Sequence, residues 1–146
     1  MAQTLSNELS GYNSTPVVKP SATAAYGARL RRYRASIALA SQVFGTGNEV
    51  ILAYVPAGLT FAFGVINTDT SLGTSTVSIG TPATPAKYNN AAQTLTATNT
   101  PTMFGAVGQE EQAALTGVEQ IQMLVGVANL PASGNLVVDL FFSTPT

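Results

Sequence analysis

A chain without histidine and without cysteine lacks the side chains most often used as general base, metal ligand or nucleophile. Ser or Thr would have to serve as nucleophile and Lys as its activator, yet the only lysines are Lys19 and Lys87 and neither stands in a Ser-x-x-Lys spacing. The adjacent acids Glu110 and Glu111 could in principle share acid-base work. Neighbours on a helix point to different sides, so this pair reads as a solvated face. "NTDTSLG" offers oxygens at Asn67, Asp69 and Ser71, as a calcium loop begins, but Leu72 and Ser78 stand where such a loop needs Gly and Glu. "FGTGNE" is a turn, since no Gly-Lys-Ser or Gly-Lys-Thr follows to make a phosphate loop. The sequence therefore points to no catalytic, cofactor or metal site, and not to an enzyme.

One constellation remains. In "GARLRRYRASIALA" the stretch Arg29 to Arg34 holds four of the six cations of the chain. Arginines in an extended arm can neutralise phosphates while Tyr26 or Tyr33 stacks on bases. They can equally form a charged junction, or fork onto carboxylates of an acidic protein. Residues 1–39 carry a net charge of +4 and residues 40–146 carry −5, so the body is acidic where a nucleic-acid binder would be basic. The reading adopted is docking onto a protein, through Arg29, Arg31, Arg32 and Arg34 with Tyr33 and Lys19, and no direct contact with nucleic acid.

The elements that must carry these residues read as strands. The first 34 residues are rich in Ser, Thr, Ala, Asn and Pro without helical or strand periodicity, and Pro16 and Pro20 favour extended backbone before them. They are expected to form an N-terminal docking arm, with a β-domain over residues 35–146. "RASIALA" and "NEVILAYV" are strand candidates, and "VPAG" turns the chain into "LTFAFGVIN". There Leu59, Phe61, Phe63 and Val65 are expected on one face, with Thr60, Ala62, Gly64 and Ile66 on the other. "GTSTVSIGT" places Ser75, Val77 and Ile79 together. Near the end Ile121, Met123, Val125 and Val127 alternate, Pro131 to Gly134 turns, and Leu136, Val138, Leu140 and Phe142 return on one face. "VPAG" and "LPASG" thus read as two similar hairpins, and most of Phe61, Phe63, Phe141 and Phe142 as core.

Val50 to Ile66 is 17 residues without a charge, close to membrane-spanning length. Pro56 and Gly58 at its centre and the alternation of each half argue against a span, and no membrane partner is expected. The opening "MAQTLSNELSGYNS" has neither a basic nor an apolar signal region. One short helix is expected at about residues 108–115, among good helix formers and stopped by Gly117. Short strands with regularly spaced turns make the fold class all-β: a jelly-roll-like β-sandwich with an extended N-terminal arm and at most one short helix.

With 146 residues the chain is one domain's length, enough to bury roughly two-thirds of its unfolded surface without disulfides. Only 13 residues are charged against 45% hydrophobic, so the surface must be built largely of Thr, Ser, Asn, Gln and Ala. Such a surface resists association poorly and suits a protein packed in an assembly.

The segment "VPAGLTFAFGVINTDTSLGTSTVSIGTPATPAKYNNAAQTLTATNTPTMFG" and the closing "LPASGNLVVDLFF" resemble the capsid decoration, or cement, proteins of tailed bacteriophages. The pattern covers about residues 49–142 and leaves the arm outside it. What the resemblance implies is a β-sandwich on the outer surface of the virion, often a homotrimer, bound to several subunits of the major capsid protein. It transfers no functional residue. A neck, tail or fibre component is the alternative within structural proteins. A host- or carbohydrate-binding module is the other, though the chain has no Trp for a sugar platform.

Overall fold

The structure, a computed structural model, describes residues 28–41, 43–89, 91–106 and 114–144. Its strands are β1 (Arg29–Ala38), β2 (Glu49–Val55), β3 (Thr60–Thr68), β4 (Thr76–Gly80), β5 (Gln93–Thr94), β6 (Thr102–Phe104), β7 (Glu119–Gly126) and β8 (Asn135–Thr144). Two antiparallel sheets result, ordered β1-β8-β3-β6 and β2-β7-β4-β5. Except from β4 to β5, each strand is followed by one in the opposite sheet. The chain is a jelly-roll-like β-sandwich, and none of the described residues is helical.

That winding corrects the two hairpins. "VPAG" joins β2 to β3 and "LPASG" joins β7 to β8, each across the sandwich. A turn reverses the chain without deciding whether the returning strand lies beside its predecessor or above it. The uncharged stretch Val50 to Ile66 is strand, turn and strand, and no helix among the described residues is long and apolar enough to cross a membrane. The expected helix falls almost entirely on residues outside the described ones. Leu115 beside it is irregular, donating to the Leu59 carbonyl at 2.8 Å and accepting from the Gly58 amide at 2.8 Å.

Between the sheets, β8 behaves as its period of two dictates: Leu136, Val138, Leu140 and Phe142 are all buried inward. Ser75, Val77 and Ile79 do the same beside β4. In β7 the alternation holds through Val125, but Val127 turns outward with φ +66° and 73% exposure.

β3 departs from the expected faces because of a bulge. It pairs Phe61 with Phe142 and Phe63 with Phe141, leaving Ala62 unmatched. One extra residue inverts every side chain after it. Leu59 and Phe61 point into the core, whereas beyond the bulge Ile66 and Thr68 do so. Phe61 lies 4.5 Å from Tyr88 and 5.5 Å from Phe142, centroid to centroid. Gly64 also turns inward, and a Cβ there would stand 2.0 Å from Cζ of Phe104. Only a bare backbone lets that ring lie across β3.

The loop after β4 closes one end of the core. The Tyr88 amide donates to the Ile79 carbonyl at 2.9 Å, while Asn89 Oδ1 accepts from the Ile79 amide and Nδ2 donates to the Val77 carbonyl, both at 3.1 Å. The Asn89 side chain thereby stands in for a strand along β4 beyond the two residues of β5.

Candidate functional site

The arginine cluster lies within a strand. β1 begins at Arg29, ahead of the boundary drawn at residue 34, and pairs along its length with β8 from Thr144 to Asn135. An edge strand tolerates these charges because no described strand lies on its outer flank and its arginines are exposed. The pleat then sorts the cluster onto two faces. Arg32 and Arg34 lie opposite Phe141 and Asp139 on the outside of the sandwich. Arg29, Arg31 and Tyr33 lie opposite Thr144, Phe142 and Leu140 on the inward side. Arg29 and Arg31 are nevertheless exposed, while Tyr33 packs against the core with its ring edge-to-face on Phe142 at 5.9 Å. Lys19 lies outside the described residues.

Arg34 is engaged within the chain. Its Nε donates to Asp139 Oδ1 at 2.8 Å and its Nη2 to Oδ2 at 2.6 Å, a two-pronged pair across neighbouring strands. The Asp139 side chain is 12% exposed and that of Arg34 50%. These bonds hold the Asp139 carboxyl below the usual carboxylate range, against the opposing effect of its burial, with the charges of Arg34 and Arg32 adding to them. The same bonds raise Arg34, which stays charged.

Around this pair the outer face of the first sheet is apolar. Phe63 stacks on Phe141 with centroids 4.6 Å apart and planes 18° from parallel. Met103 on β6 is 66% exposed and Leu30 on β1 is 55% exposed. A shallow groove runs between Arg34, Asp139, Val65, Val137, Asn67 and Pro101. Asn67 keeps a buried side-chain oxygen with no hydrogen-bond partner among the described residues. Aromatic surface with an arginine beside it is the composition that concentrates binding energy in protein interfaces.

Of the four phenylalanines expected mostly in the core, Phe61 and Phe142 are buried there, while Phe63 and Phe141 face outward. For Phe141 the sequence holds the signal: with Leu136, Val138, Leu140 and Phe142 inward, the residue between Leu140 and Phe142 must face out. For Phe63 no such signal exists, because its orientation depends on the bulge.

The other polar groups are used structurally. Asp69, in the loop with calcium-like spacing, accepts the Asn135 amide at 2.7 Å and Asn135 Nδ2 at 2.7 Å, so its carboxylate fastens that loop to the start of β8. These bonds lower its pKa. Lys87 pairs with Glu119 at 2.6 Å, and the Tyr88 hydroxyl donates to the same carboxylate. Burial first, then Glu119, pushes the Tyr88 phenol far up. Among the described residues no group of three or more acids could hold a metal ion.

No protein-family model matches the chain, and no curated protein matches it. Solved structures of the same fold do exist. A chain in the cyanophage Pam1 capsid asymmetric unit superposes with a TM-score of 0.60 at 17% identity, covering 82% of this chain and 88% of that one. A chain in the capsid of Ralstonia phage GP4 gives 0.55 at 14% identity, over 83% and 86%. A chain in the acidic stable capsid of Helicobacter pylori bacteriophage KHP30 gives 0.54 at 15%, over 80% and 89%. What these three share with the present chain is the β-sandwich across nearly their whole length.

Proposed function

We propose that this chain is a structural protein of a tailed-phage virion that decorates and cements the outer surface of the capsid, binding several subunits of the major capsid protein. The observation that carries the reading is the fold: chains in three phage capsid structures match it over most of their length. The surface agrees in character, offering a stacked aromatic pair, exposed Met103 and Leu30, and arginines on an edge strand. In this reading the domain associates as a homotrimer, and the segment ahead of β1 reaches over neighbouring shell subunits, while Arg29 to Arg34 stay in the sheet. Repetition on a symmetric lattice turns modest contacts into strong retention, because each bound contact raises the effective concentration of the next.

The test is the copy number of the chain per purified virion, from quantitative mass spectrometry against the major capsid protein. A ratio near one per shell subunit is expected. A ratio lower by one or two orders of magnitude moves the protein to a neck, tail or fibre, and absence from the virion removes the reading.

A further inference from the structure

Four strands end the two sheets, and three of them are blunted against further pairing. β5 has two residues and β6 three, while β2 is broken by a bulge between Ile51 and Ala53. β1 is different: ten residues in unbroken register with β8, and no described strand on its other side. Its pairing also tells which backbone groups are open. The Leu39 amide donates to the Gly134 carbonyl at 2.9 Å, which continues the register of Ile37 with Leu136. In an antiparallel ladder bonded and non-bonded pairs alternate, so the odd-numbered residues of β1 bond to β8. On the other side of β8, the Asp69 amide donates to the Asn135 carbonyl at 3.2 Å, which leaves the even-numbered residues of β8 for β1, as required. The amides of Leu30, Arg32, Arg34 and Ser36 therefore face the open edge.

Charge discriminates between occupants of that edge. Arg29, Arg31 and Arg32 are exposed, and of the β1 arginines only Arg34 has a carboxylate partner among the described residues. A second copy pairing β1 to β1 would set two arginine-rich strands side by side, and like charges opposite one another destabilise a ladder. A strand carrying two carboxylates two residues apart would meet Arg29 and Arg31 on one face, and a third carboxylate at the position between them would meet Arg32 on the other.

We infer that the open edge of β1 is a strand-addition site, which takes an extended, carboxylate-bearing segment of the shell protein into the sheet β1-β8-β3-β6. Backbone bonds to Leu30, Arg32, Arg34 and Ser36 supply the affinity, and the arginines select an acidic segment over a copy of β1. The inference rests on the proposed capsid role and names the contact through which that role is exercised.

The experiment is amide hydrogen exchange on the full chain, free and bound to purified shells assembled without it. The expected result is parity: on binding, the amides of Leu30, Arg32, Arg34 and Ser36 slow by roughly tenfold or more, while those of Arg31, Tyr33, Ala35 and Ile37 are slow already. A Leu30→Pro/Ser36→Pro variant, compared with Leu30→Ala/Ser36→Ala, keeps every arginine and differs from that control in its missing outward donors, a loss that an edge strand tolerates. Its affinity for shells falls by about tenfold or more. Shells that bind the parent with the even-numbered amides unprotected, and bind the proline variant equally, overturn the strand-addition site and leave the capsid role standing. Even-numbered amides already slow in the free chain overturn it too, since the chain's own residues then cover the edge. Binding lost on Arg29→Gln/Arg31→Gln/Arg32→Gln but unaffected by the prolines reduces the edge to a charge patch, equally open to nucleic acid, and also overturns it. Shells that fail to bind the parent remove both readings. The exchange measurement uses the unaltered chain, so it decides even if the proline variant does not fold.

Discussion

Two adjacent phenylalanines provide a direct test of the register of β8. Phe142 is fully buried and is ringed by Tyr33, Phe61 and Tyr88, with centroids 5.9, 5.5 and 6.0 Å away. Phe142→Ala removes a core aromatic from a well-packed layer, a change that costs about 3–5 kcal/mol. Phe141 is half-buried on the outer face, and among the described residues its one aromatic neighbour is Phe63. Half of a full burial contributes about 1 kcal/mol and the stack about 1 more, so Phe141→Ala should cost about 2 kcal/mol. The costs differ by about 1–3 kcal/mol, so at about 2–4 °C per kcal/mol for a chain of this size the two melting temperatures should differ by roughly 2–12 °C, with Phe142→Ala the lower. Urea unfolding followed by far-ultraviolet circular dichroism measures both costs, provided the slope of the transition is unchanged between variants. If Phe141→Ala proved as costly as Phe142→Ala, or costlier, β8 would be displaced by one residue and the argument for the outer aromatic face would collapse.

The acids supply a second prediction. Asp139 and Asp69 both titrate below the ordinary carboxylate range in the folded chain, through Arg34 and Asn135 respectively. Each contributes stability that is present above its unfolded value, near pH 4, and is lost as pH falls through the lower folded value. Thermal melts between roughly pH 2 and 6 should show the parent losing stability as pH drops below about 4, and Asp139→Asn losing less over the same interval. An equal loss in both would mean that the fork to Arg34 does not contribute. A third prediction contrasts two glycines. Gly134 has φ +101° and a Cβ there would lie 2.6 Å from Thr70 Cγ2, whereas Gly47 at φ +86° has nothing within 4 Å. Gly47→Ala should cost about 1–2 kcal/mol from backbone strain alone, and Gly134→Ala about 1–3 kcal/mol more from the clash, by the same denaturation assay.

Much of the architecture was legible in residue order, because period-two alternation is a local property. Leu136, Val138, Leu140 and Phe142 face the core as written, and so do Val77 with Ile79 and Ile121 with Met123. The absence of His and Cys and the sparse charge likewise narrowed the chemistry before any fold was known. The arginine cluster was visible as a cluster, but not its division: the pleat of β1 places Arg32 and Arg34 outside and Arg29, Arg31 and Tyr33 on the other side.

What the linear chain by itself determined is the presence of the six longer strands, the turns after β2 and β7 and the inward residues of unbroken strands, since each depends on neighbours a few positions away, whereas the short β5 and β6 carry no period-two signal of their own. Only the tertiary structure decided which strands became neighbours. Asp139 takes Arg34 from 105 positions away. The bulge at Ala62 turns Phe63 out to meet Phe141. "VPAG" and "LPASG" carry the chain between sheets instead of along one. Pairing across such distances is settled by the fit of apolar faces over the whole core, and no local run of residues encodes that fit.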